Sequence, residues 1–110
     1  RFVRAAFLKT YSLEQDTALD TVNQAFHILN NFDIPTGTEV AWGKASTDLP
    51  SATQFTVASD TRNQKIYYRT MYNGNIRCID LKRVDFEKIK YHSRALDEIK
   101  KQPVEMITSR

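Results

Sequence analysis

The side chains able to attack, carry protons or stabilise charge are few in this sequence: one cysteine, two histidines and a scatter of arginines. Cys78 lies between Arg77 and Ile79 in a strand pattern, where a buried thiol behaves as a small apolar side chain, so a packed cysteine is expected rather than a nucleophile. His27 stands among apolar positions of a helical pattern. Ile28 to Asn31 offer it no second His, Cys or acid one turn on, so a packed or edge histidine is expected and no metal site. His92 falls in a polar stretch and is expected in solvent. Asp80 and Asp85 read as cap or surface acids. Tyr67, Tyr68 and Tyr72 could form a binding shelf, although aromatics on strands more commonly pack across the sheet. There is no glycine-rich phosphate loop, no convincing carboxylate pair and no Ser-His-Asp set. Arg1, at the head of the apolar run RFVRAAFLK, reads on its own residues as the cap of a helix end or a frayed terminus.

The elements that position these residues are legible from periodicity. Val3, Ala6 and Phe7 fall at helical spacing and Phe2 and Ala5 widen the stripe, predicting a short helix over residues 2 to 9 that is buried on several sides. Ala18, Val22, Ala25, Phe26 and Leu29 define a second helix over 17 to 32, capped by Thr17 with Asp20 in the first turn. Asn30 and Asn31 tolerate left-handed geometry and could end it, and Pro35 and Gly37 mark the stop. A short strand is possible at Glu39 to Trp42. The period then changes to two. Residues 53 to 59 form a strand with Phe55 and Val57 inward, and 60 to 64 a turn. Residues 65 to 72 set Ile66, Tyr68, Thr70 and Tyr72 against Tyr67, Arg69 and Met71. The Asn73-Gly74-Asn75 stretch is a hairpin signal leading into a third strand at 76 to 81. Beyond it, a helical turn carries Phe86 and Ile89 inward, and 93 to 101 read as a last helix capped by Ser93 and stopped by Pro103. Two helices, an antiparallel three-stranded meander and a helical tail make an α+β unit.

Composition bounds the rest. The chain has 110 residues, enough for one modest core, and its 41% apolar and 26% charged content suits a folded soluble domain. The net charge of +3 is spread along the chain, so no nucleic-acid partner is expected. No apolar run is long enough to cross a membrane, so no membrane partner is expected. A lone cysteine forms no internal disulfide and leaves the redox compartment open. The opening helix is too apolar for a surface cover, which leads to the expectation that partner strands lie upstream of Arg1.

RFVRAAF at 1 to 7, VNQAFHIL at 22 to 29, the Ile34-Pro35 and Gly37 that follow, and the meander with YYRT at 67 to 70, Asn73, Asn75, Ile76 and IDL at 79 to 81 together resemble the C-terminal part of the choloylglycine hydrolase family. That family contains the bile salt hydrolases and the penicillin V acylases, and the likeness spans roughly residues 1 to 90. It implies a portion of an N-terminal-nucleophile hydrolase, in which two antiparallel sheets stack between helical layers in an αββα four-layer sandwich. It implies hydrolysis of linear amides such as conjugated bile salts or penicillin V. The nucleophile would be a processed N-terminal cysteine whose α-amino group handles protons, and no cofactor is implied. The arginine that opens the family's RFVR segment lies beside that sulfur and matches Arg1, where a guanidinium would favour the thiolate and could orient a substrate. Arg4 is a second candidate.

The nucleophile and its Asp and Asn partners have no counterpart here, so residues 1 to 110 are expected to be a single C-terminal segment of the hydrolase domain, with 91 to 110 an extended tail. The remainder of the enzyme would lie upstream. The longer tail and TQFTVASD look more like the enzymes of Gram-negative bacteria, which implies a periplasmic location, with the cytoplasm as alternative. The family's habit implies a homo-oligomer, a tetramer. The rival reading is a non-catalytic α+β binding module that uses the tyrosine-rich meander face and Arg69.

Overall fold

The computed structural model describes residues 1–38 and 52–108. Two helices, α1 (Phe2–Tyr11) and α2 (Ala18–Asn30), precede three strands, β1 (Phe55–Asp60), β2 (Lys65–Thr70) and β3 (Arg77–Asp80), and a 3-10 turn at Leu81–Arg83. The strands form one antiparallel sheet in the order β1-β2-β3, and α2 lies across it. The class is α+β, consistent with part of an N-terminal-nucleophile hydrolase fold. The possible strand at Glu39 to Trp42 lies outside the described residues.

The second helix forms as its sequence directs. The Asp20 amide donates to Thr17 Oγ1 at 3.1 Å, satisfying a donor that the helix itself leaves unpaired, and the Thr17 hydroxyl donates to the Asp20 carboxylate at 2.6 Å. Val22 and Phe26, one turn apart, bury themselves against Tyr67, with Ala58 beside them, and this is the core. At the other end, Asn31 does not use left-handed backbone: its φ is −69°, and its side-chain amide donates to the carbonyls of His27 and Ile28, at 3.1 and 3.2 Å. Gly37, at φ 87°, takes the left-handed conformation that a side chain would resist.

The first helix runs slightly longer than predicted and is not buried on several sides. Phe2, Val3 and Tyr11 are more than two-thirds exposed, and Phe7 packs on Tyr11 within the helix, ring centroids 4.6 Å apart. The apolar stripe is present, and α2 and the turn after it lie against α1.

The strand alternation holds, yet its sides are exchanged in β1. Pairing of Phe55 with Thr70 and of Val57 with Tyr68 sets those apolar residues on the face away from α2, where both stand exposed, while the small Ala58 sits under the helix. A bulky inward residue at 58 would hold α2 off the sheet. The β1–β2 connection is the expected turn. Asp60 accepts from the Asn63 amide and side chain, at 2.9 and 2.7 Å, and Gln64 takes φ 56°. The second hairpin turns earlier than its Asn-Gly signal. Thr70 and Asn73 exchange backbone bonds at 3.0 and 3.3 Å, so the tight turn is Met71-Tyr72, and Gly74 follows it.

Two further expectations are corrected. Phe86 and Ile89 sit on a short turn held by the Asp85 carboxylate, but both point to solvent. Residues 93 to 101 are not helical, so the tail of this α+β unit is irregular. An isolated helix of that length is marginal in water, and the sheet gives this stretch other partners. Tyr68 Oη donates to the Leu96 carbonyl at 3.3 Å, Arg77 pairs with Asp97 at 2.5 Å, and the Gly74 amide donates to Gln102.

Candidate functional site

Arg1 opens α1, its carbonyl accepting from the Ala5 amide at 3.0 Å, and the helical period brings Arg4 round to the same side one turn on. Both arginines line an open recess of about 580 Å³ between α1 and the turn that follows α2. Phe7 closes the α1 side, and Phe32, Asp33 and Ile34 form the opposite wall.

That wall is bonded to the sheet at two points. The Ile34 amide donates to Thr53 Oγ1 at 2.9 Å and its carbonyl accepts from the Thr53 amide at 3.0 Å, joining it to the approach to β1. Beside it, Asp33 Oδ2 accepts from Arg69 Nη2 of β2 at 2.7 Å. Arg69 lies on the helix-facing side of the sheet with its guanidinium 5.7 Å from the Phe26 ring centroid. A guanidinium attracted to an aromatic face and to a carboxylate at once has little rotational freedom left. The recess itself joins two exposed cations, Arg1 and Arg4, to an aromatic and aliphatic surface. Such a site can bind an anionic or strongly polarised group beside an apolar one.

The other candidates disperse. Cys78 is exposed rather than packed: it lies opposite Tyr67 on β3, an edge strand. His27 and His92 are exposed, and no group of three or more potential metal ligands occurs among the described residues. Asp80 caps the 3-10 turn through the Lys82 amide, and Asp85 pairs with Lys88. The tyrosines do not form one shelf. Tyr67 is buried under α2, where burial raises its pKa, while Tyr68 faces the other side, with the Arg77 guanidinium 4.7 Å from its ring centroid. Arg69, the cation of that rival surface, is engaged by Asp33 and Phe26. A second cavity of about 840 Å³ lies between the tail and the face bearing Tyr68 and Ile79, away from Arg1.

Asp33 was not singled out from the sequence. The available signal was an acid directly after a helix stop, set against an arginine that alternation puts on the helix-facing side of a strand.

One face of the antiparallel sheet is thus covered by α2, and an arginine-lined recess stands at the start of α1. Residues 1–97 match the family model of the linear amide C–N hydrolases, choloylglycine hydrolase family, and the chain belongs to that family. Over 82 residues, 74% of its length, the chain is 38% identical to a bile salt hydrolase/transferase of Lactiplantibacillus plantarum, of which it spans 24%. No described helix is long and apolar enough to cross a membrane.

Proposed function

We propose that this chain is the C-terminal part of a hydrolase that cleaves linear amide C–N bonds, with a cysteine thiolate supplied by sequence outside residues 1–110, and that Arg1 stands beside that sulfur. The observation that carries the reading is the family match over residues 1–97, a span that includes the residues lining the recess. The thiolate attacks the amide carbonyl carbon, and the C–N bond breaks as the nitrogen leaves with a proton. Water then hydrolyses the thioester and restores the thiol. The nucleophile's own α-amino group moves the protons. A guanidinium at Arg1 lowers the thiol's pKa by charge attraction and adds a fork of donors for a carbonyl or carboxylate of the substrate. Arg4 is close enough in the helix to add to that field. The substrates in view are conjugated bile salts and penicillin V, and the likeness to the bile salt hydrolase/transferase of Lactiplantibacillus plantarum favours the first.

The test is kinetic and uses the complete hydrolase. Arg1→Met is expected to lower kcat/KM on a conjugated bile salt or penicillin V by about a hundredfold, the scale of losing one oriented charge-stabilising group. It should also raise the pH at which iodoacetamide alkylates the nucleophilic thiol. Unchanged turnover in Arg1→Met overturns the role of Arg1.

A further inference from the structure

We infer that Arg69 is a positioning residue for the Arg1 recess: by holding Asp33 it fixes residues 31–34 as the wall opposite Arg1 and Arg4. The inference rests on the reading of Arg1 above. The pair joins positions 36 residues apart, so it ties the end of α2 to the middle of the sheet rather than decorating one element. Its geometry separates it from an ordinary surface ion pair, which contributes little because both side chains must be immobilised from water. Here the arginine side chain is 18% exposed and already held over Phe26, so the ordering cost is met by packing, while Asp33 remains 42% exposed at the lip of the recess.

Two consequences follow for the site. The wall has attachments on both sides, Asp33 to Arg69 and Ile34 to Thr53. Release of the first lets Phe32 and Asp33 turn about the second, and a displacement of the order of 1 Å in a reacting site costs up to about a hundredfold in rate. The carboxylate at the lip also has its charge balanced by Arg69. Without that cation it would repel an anionic substrate and disfavour a thiolate nearby.

Arg69→Met, Arg69→Lys, Asp33→Asn, the double variant Asp33→Asn with Arg69→Met, and Arg1→Met, all in the complete hydrolase, test this. Arg69→Met is expected to lower kcat/KM by about tenfold or more, chiefly through a higher KM. Arg69→Lys should recover most of the loss, because charge and stem are kept. The double variant should be no worse than Arg69→Met, since both changes break one interaction. Loss of folding alone would reduce kcat per total protein and leave KM unchanged, and that result overturns the positioning role. KM within about twofold of the parent in both Arg69→Met and Asp33→Asn does so too, as do losses that simply add. Asp33→Asn, nearly isosteric, keeps the test open if Arg69→Met does not fold. Impaired Arg1→Met beside unimpaired Arg69→Met refutes the Arg69 inference alone; an unimpaired Arg1→Met refutes the reading on which it stands.

Discussion

Arg77 reaches Asp97 at 2.5 Å across the sheet face opposite α2, and its guanidinium lies 4.7 Å from the Tyr68 ring centroid. The Asp97 side chain is only 7% exposed, although the residues around it have no regular secondary structure. One buried carboxylate thus fastens an irregular segment that has little apolar burial of its own. Leu96 is 44% exposed and Ile99 73%.

Asp97→Asn should therefore release the tail without unfolding the domain. The arginine would lose its partner while its Nε, already buried without a hydrogen bond, stays desolvated. Hydrogen exchange should quicken at residues 94–102 and stay unchanged in α2, whose cap and core lie on the other side. Equal quickening in α2 would contradict a local role for this pair.

The same carboxylate gives the pH dependence. The Thr70 hydroxyl and then the Arg77 guanidinium hold Asp97 below the usual carboxylate range, and Asn63 does the same for Asp60 at the β1–β2 turn, as Lys88 does for Asp85. A lowered folded-state pKa means the unfolded chain takes up protons first as pH falls. These contributions are whole above the ordinary carboxylate value, about pH 4, and fade as pH drops through the lower folded-state values. Tyr67 acts at the other extreme. Burial raises its pKa, so its contribution is whole below the ordinary phenol value, about pH 10, and is lost above it. Thermal unfolding between pH 2 and pH 11, chosen to bracket both ranges, should show a plateau with an acid and an alkaline fall. Tyr67→Phe should flatten the alkaline side.

Phe26→Ala should be the most damaging single substitution in α2. The ring is 4% exposed and forms the core with Val22 and Tyr67, and it also carries the Arg69 guanidinium. Removing a buried phenylalanine costs about 3–5 kcal/mol. Thr17→Ala, which removes only the cap, should cost about 1 kcal/mol. Chemical denaturation of both variants checks the ranking, and a Thr17→Ala loss equal to that of Phe26→Ala would show that the core is not where the structure puts it.

Much of this architecture was legible because it rests on local chemistry. The cap at Thr17, the stripe of Val22 and Phe26, and the turn at Asp60 to Asn63 are decided within a few residues of themselves. The side of the sheet that faces α2 was not legible, because alternation in β1 states only that Phe55 and Val57 share a face. Ala58 marks the covered face by its size, a weak signal until the helix is in place. The helix expected at 93 to 101 failed for a related reason: its periodicity is real, but Tyr68, Gly74 and Arg77 of the sheet and its hairpin compete for its polar groups. At the candidate site, Arg1 entered through family resemblance and Asp33 was not singled out, since its partner Arg69 is 36 residues away.

Cys78 provides a last and simple discrimination. It is the one thiol in residues 1–110, and any proposal that this stretch holds its own nucleophile must use it. Yet it sits on an edge strand opposite Tyr67, and it lines the cavity under the tail, not the recess of Arg1. A thiol there does not share the recess that Arg1 lines. It is exposed, so a bulky maleimide should label it in the folded protein without denaturant. Cys78→Ser should leave amide turnover in the complete hydrolase within about twofold of the parent, since neither residue touches the recess. A Cys78→Ser variant that folds but has lost hydrolysis would move the reacting centre to the edge strand β3, away from the recess, and overturn the role given to Arg1.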